Sequence, residues 1–152
     1  MPIRLDGSCR CGAVRFAVVS QAPHRSPAGG RDRSCRLALR GPSGRCCGRD
    51  RQPHALVRCG EPLPGDTVKL VDPIIVVEVL SPSTRARDAG AKLEDYFRLP
   101  SVRHYLIVKT DTRIVIHHRK DEAGQIATRI VRTGELELAP PGLVVEVEAC
   151  FL

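Results

Sequence analysis

The chain has 152 residues, 42% of them hydrophobic, with a formal charge of +7 and seven cysteines. That length suits one domain able to fold alone, and no apolar run approaches the ~20 residues of a membrane-spanning helix. An odd cysteine count without a basic-then-apolar leader argues against a disulfide framework, and for a cytoplasmic protein with metal-bound or plain thiols.

The charge is unevenly placed. Residues 1–60 hold twelve arginines, no lysine and three acids (Asp6, Asp32, Asp50), a net +9, whereas residues 61–152 hold twelve bases against fourteen acids, a net −2. A basic stretch can be a nucleic-acid footprint, but this one is Arg, Gly, Pro, Ser and Cys without interleaved aromatics.

In chain order, residues 2–19 read as a short strand, a Cys9-Arg-Cys-Gly12 turn and a second strand, in which Val14, Phe16 and Val18 alternate onto one face. Residues 25–51 have no period, and Leu37 and Leu39 are their only large aliphatic side chains. Such a segment buries too little apolar area to offset its ordering entropy, so disorder is expected. These residue types are also what GC-rich DNA encodes in almost any frame, which makes the segment a junction candidate. The division is therefore a hairpin fragment at 1–22, an Arg/Gly-rich segment at 23–52 and an ordered domain at 53–152.

Within that domain Ala55–Arg58 is a short strand candidate, and Gly60–Asp66 a Pro/Gly turn. Pro73–Leu80 reads as a buried strand from its Ile/Val run. Ser83 or Thr84 can cap a helix over about 86–98, where Ala86, Ala89, Leu93, Tyr96 and Phe97 form one apolar stripe ended by Pro100. Val102–Lys109 and Arg113–His118 are strands around a Thr110-Asp-Thr112 turn. Gln125–Arg132 and Leu143–Glu148 are further strands, divided by Gly134 and Pro140-Pro-Gly142. The fold class is α/β, a mixed sheet packed by one clear helix.

Alternation places Ile74, Val76, Glu78 and Leu80 on one face of the 73–80 strand, and Ile75, Val77 and Val79 on the other. Glu78 is thus a carboxylate in a wholly apolar strand, which is costly unless a cation, metal or several donors meet it. The following helix returns over the sheet and can bring Lys92 to the strand's C-terminal half. A carboxylate and a lysine converging there suit metal-dependent phosphodiester hydrolysis, the acid holding Mg²⁺ and the lysine stabilising developing charge. The alternative has Glu78 reaching solvent at the strand end and Lys92 pairing with Asp88 one turn earlier. His117 and His118 are adjacent in a strand and face opposite sides, so they read as solvated hairpin residues. His104 reads as packing, and Cys59 and Cys150 as isolated thiols.

The text Asp72-Pro-Ile-Ile-Val-Val-Glu-Val-Leu-Ser-Pro-Ser-Thr84, then Arg87-Asp-Ala-Gly-Ala-Lys-Leu-Glu-Asp-Tyr96, then Leu99-Pro-Ser-Val-Arg-His-Tyr-Leu-Ile-Val108 and Leu136-Glu-Leu-Ala-Pro-Pro-Gly-Leu143, resembles the C-terminal half of the Uma-type restriction endonucleases. The resemblance covers residues 53–152. It implies the PD-(D/E)xK nuclease superfamily, an incomplete restriction endonuclease-like core, Mg²⁺ as cofactor and DNA as partner, and leaves a homodimer open. Glu78 matches the family's (D/E) acid. Lys92 matches the helix-borne lysine that replaces the one expected two residues after the acid, where Leu80 stands. The family's first acid falls at His54, and a neutral imidazole is a poor ligand for a hard cation. The resemblance thus implies either a DNA endonuclease, inactive if His54 cannot serve, or a non-catalytic, DNA-binding remnant of its fold.

Gly7-Ser-Cys-Arg-Cys-Gly-Ala-Val-Arg-Phe16 resembles a second family, the glutathione-dependent formaldehyde-activating enzymes related to centromere protein V. That likeness implies Cys9 and Cys11 as zinc ligands in a carbon–sulfur lyase. A closed zinc site needs a second pair, which Cys35, Cys46 and Cys47 would have to supply from unpatterned surroundings.

Overall fold

A computed structural model of the chain describes residues 36–37, 53–60, 69–70, 72–80 and 89–151. The expected N-terminal hairpin with Cys9 and Cys11, most of the Gly60–Asp66 turn, and the Ser83/Thr84 cap lie outside these residues.

Nine strands and one α-helix are described: β1 (Arg36–Leu37), β2 (Ala55–Val57), β3 (Lys69–Leu70), β4 (Ile75–Leu80), α1 (Ala89–Phe97), β5 (His104–Lys109), β6 (Ile114–Lys120), β7 (Ile126–Val131), β8 (Glu135–Leu138) and β9 (Leu143–Glu146). A 3₁₀ turn over Glu148–Phe151 follows β9. Strand β1 lies in the segment expected to be disordered. Its two residues pair in parallel with β3.

The central sheet has the order β2-β4-β5-β6-β7. Only the β4–β5 pair is parallel, and every other neighbour is antiparallel. A parallel pair cannot be joined by a tight turn, and α1 lies in the connection that spans it. β4 holds an interior position because its Ile-Val-Val-Glu-Val-Leu sequence can be covered on both faces.

Each face of the sheet carries its own layer. On one, Leu56, Val76, Tyr105 and Ile107 pack against Tyr96, Phe97 and Leu93 of α1. On the other, Ile75, Val77, Leu106, Val108 and Val115 pack against Leu136, Leu138, Leu143 and Val145 of the β8–β9 hairpin. Each fully covered Val, Leu or Ile contributes roughly 1.5–3 kcal/mol, so both layers are needed to hold a sheet this small.

Two local devices fix the geometry. Lys120 on β6 donates to the carbonyls of Phe97 (2.9 Å) and Leu99 (3.0 Å), groups that the end of α1 leaves without helical partners. Between β6 and β7, Asp121 N–H donates to Gln125 O (3.0 Å), Gly124 N–H to Asp121 O (3.2 Å) and Gln125 N–H to the Asp121 carboxylate (2.8 Å). Gly124 sits at φ +81°, which this bulged hairpin requires and a side chain resists.

The structure corrects three readings. Strand β8 falls between Gly134 and Pro140, a stretch in which no strand was expected. Ile74 packs on the β8–β9 side, not with Val76, because it precedes the regular part of β4. His117 is buried rather than solvated, since the β8–β9 layer covers its face of β6.

Candidate active site

Glu78 stands on the α1 face near the C-terminal end of β4 and is only 2% exposed. Its Oε2 accepts from Lys92 Nζ at 2.7 Å, and its Oε1 accepts from the Tyr96 hydroxyl at 2.6 Å. Lys92 and Tyr96 are four residues apart on α1, the spacing that stacks two side chains on one helix face. The expected convergence of Glu78 and Lys92 is therefore present, and the alternative in which Glu78 reaches solvent is not. Among the described residues Glu78 is Lys92's one ion-pair partner; the lysine side chain keeps 28% exposure and opens the cluster to one side.

Tyr96 was placed in the sequence only as part of the apolar stripe. Its ring is fully buried and meets Tyr105 edge-on, with centroids 5.0 Å apart. A buried tyrosine generally needs a partner for its hydroxyl. One turn past a lysine, that partner was to be sought at Glu78, which is the signal the sequence offered.

His54 immediately precedes β2. Ala55 pairs with Val77 and Leu56 with Val76, so one step further His54 falls opposite Glu78. It is exposed, and its Nδ1 accepts the backbone N–H of Val79 at 3.2 Å. The proton of the neutral ring then sits on Nε2, and neither nitrogen offers a free lone pair to a cation.

Magnesium seeks oxygen ligands, commonly one or two carboxylates with water and phosphate. Among the described residues the cluster supplies one carboxylate, both of whose oxygens are engaged. No group of three or more His, Cys, Asp or Glu side chains among the described residues is arranged to hold a metal ion. The described residues therefore do not fit Mg²⁺ as they stand.

A second polar cluster is buried on the opposite face. His104 Nε2 lies 2.8 Å from Pro140 O, and His104 Nδ1 lies 2.9 Å from His117 Nε2. A carbonyl only accepts, so His104 carries its proton on Nε2, and His117 Nε2–H donates to His104 Nδ1. Nδ1 of His117 is left buried without a hydrogen-bond partner. Desolvation by burial pushes both imidazoles down to about 4. Packing, expected for His104, is thus accompanied by two polar contacts. Cys59 and Cys150 are both half-buried.

The fold is that of a restriction endonuclease-like α/β protein. One solved structure, titled a putative nuclease belonging to DUF820 from Anabaena variabilis ATCC 29413, superposes with a TM-score of 0.58 at 13% identity, covering 78% of this chain and 65% of that one. The chain belongs to the Uma2 family, described as "Putative restriction endonuclease", whose model matches residues 19–149 and so runs through the Arg/Gly-rich segment. It is also 33% identical over 100 residues to the uncharacterized protein slr1290 of Synechocystis sp. (strain ATCC 27184 / PCC 6803 / Kazusa), a match covering 65% of this chain and 53% of that protein. The chain thus spans about half the length of this curated relative. No helix among the described residues is long and apolar enough to cross a membrane.

Proposed function

We propose that the chain is a DNA-directed endonuclease of the PD-(D/E)xK kind, with its phosphate-handling centre at Glu78 and Lys92. One observation carries this reading: a helix-borne ammonium 2.7 Å from a buried strand carboxylate, at the positions where the family resemblance puts the acid and the lysine. The exposed side of Lys92 is where a phosphate oxygen can approach, and its charge suits the anion that develops as the P–O bond breaks. Glu78 positions the ammonium, and Tyr96 positions Glu78.

Position 54 favours a second reading. The magnesium implied by the resemblance lacks a second carboxylate among the described residues. A protein of this fold that holds a DNA backbone without cutting it is the consequence if His54 cannot be replaced by another ligand.

Incubation of supercoiled plasmid with Mg²⁺ or Mn²⁺ separates the two. Cleavage by the natural chain that is lost in Glu78→Ala supports the endonuclease. Cleavage only by His54→Asp supports the non-cutting reading. No cleavage by any variant, with no DNA retention that depends on Lys92, removes both.

A further inference from the structure

Strand β7 closes one side of the central sheet, and among the described residues it pairs only with β6. Its residues Ile126 to Ile130 are all exposed, with Ile126 at 43% and Ile130 at 64%. Natural sheets commonly blunt such an edge with proline, lysine, a bulge or a covering segment. The sequence Ile-Ala-Thr-Arg-Ile-Val has no proline or lysine, and its one charge is Arg129.

The direction of the free backbone groups follows from the hairpin. Because Asp121 N–H donates to Gln125 O, hydrogen-bonded pairing then alternates along β6 and β7. Ala127 faces Arg119, and Arg129 faces His117, in the pairs that exchange bonds with β6. Ile126, Thr128 and Ile130 therefore turn their N–H and C=O outward. Their side chains share the α1 face, since Ile130 pairs with Ile116, which packs in that layer.

We infer that β7 pairs with β7 of a second copy of this chain, antiparallel, about a two-fold axis through Thr128. That register sets Thr128 against its own equivalent, and Ile126 against Ile130 of the other copy. All three outward residues then exchange backbone bonds, and two isoleucine pairs close over them. On the opposite face Arg129 meets Ala127, so no like charges oppose each other. The other sheet edge, β2, is three residues long and wholly buried, and offers no comparable surface. A contact of this size is small against the ~1,600 Å² of a standard interface, so the dimer is weak and reversible. The inference does not depend on the chemistry at Glu78.

Sedimentation velocity on the full chain from about 1 to about 300 µM reads a concentration-dependent dimer. Ile130→Lys and Thr128→Pro are each expected to weaken it at least tenfold. Proline removes an outward N–H together with the hydroxyl that meets His118 Nδ1 at 2.8 Å, and the far-UV circular dichroism of each variant checks its fold. If Thr128→Pro does not fold, Ile130→Lys decides alone, because position 130 is mostly solvent-exposed. Register is read by oxidation. Hydrogen-bonded partners lie about 5.5 Å apart at Cα, within disulfide reach, so Thr128→Cys cross-links at least fivefold more than the natural chain. Ile126→Cys, about 15 Å from its own equivalent at ~3.4 Å per residue along the strand and one strand spacing across, does not. A chain that stays monomeric, a dimer that survives the folded variants, or Thr128→Cys cross-linking no more than Ile126→Cys overturns the proposal.

Discussion

His104 Nδ1 lies 2.9 Å from His117 Nε2, and with Pro140 O holding the other His104 nitrogen this arrangement is satisfied with both rings neutral. Protonation of either ring sets N–H against N–H or forces a proton into the apolar space around His117 Nδ1. Desolvation is the main cause of the lowered affinity for protons. The charges of Arg103 and Arg119 add to it at His104, while the Pro140 and Ala139 carbonyls oppose it. At His117 the additional causes are His104, Arg129, His118 and Arg119.

Stability follows with a definite sign. Both groups sit at about 4 in the folded chain against 6.5 ordinarily, so between these values the unfolded chain binds more protons. Stability is full above pH 6.5 and is lost as pH falls towards 4, at up to about 1.4 kcal/mol per pH unit for each histidine. Urea unfolding at pH 7.5, 6, 5 and 4.5 measures the slope. His117→Leu is expected to lower stability at pH 7.5 and to flatten the slope, and an unchanged slope contradicts this account.

Removing Lys92 leaves Glu78 buried and unpaired. Lys92→Met is expected to cost about 3 kcal/mol, the lower end for breaking a buried pair, because the lysine is partly exposed. Glu78→Gln added to Lys92→Met is expected to recover more than half of that loss. Denaturation of the two singles and the double gives the coupling, and strict additivity of the two effects argues against the pair.

Tyr96→Phe keeps the ring against Tyr105 and removes only the hydroxyl. With Glu78 Oε1 left buried and short of a donor, a loss of about 1–3 kcal/mol is expected in the same assay. Loss of less than a few tenths of a kcal/mol shows that Tyr96 does not hold Glu78.

Gly124 meets nothing within 4 Å of an added Cβ, so Gly124→Ala tests backbone conformation without crowding. At φ +81° a cost of about 1–2 kcal/mol is expected, read as a lowered thermal midpoint. A midpoint equal to that of the natural chain removes the argument from φ.

The Glu78–Lys92 pair was legible through the family resemblance, because chemistry alone left Glu78 free to reach solvent and Lys92 to pair with Asp88. The hydroxyl of Tyr96 was not, since a tyrosine on an apolar stripe is read by its ring. The largest miss had one cause. Glu135–Leu138 is four residues between turn formers, too short for its alternation to stand out, and without it the sheet has no second layer. His117, covered by that layer, then looked solvated.

Lys120 clasps the carbonyls of Phe97 and Leu99 from the floor of the sheet. A helix fastened at its far end has a fixed axial setting. The depth at which its lysine meets the strand carboxylate is gauged from a point more than a turn away. Inserting one residue between Tyr96 and Phe97 would turn both groups off the carboxylate without altering either.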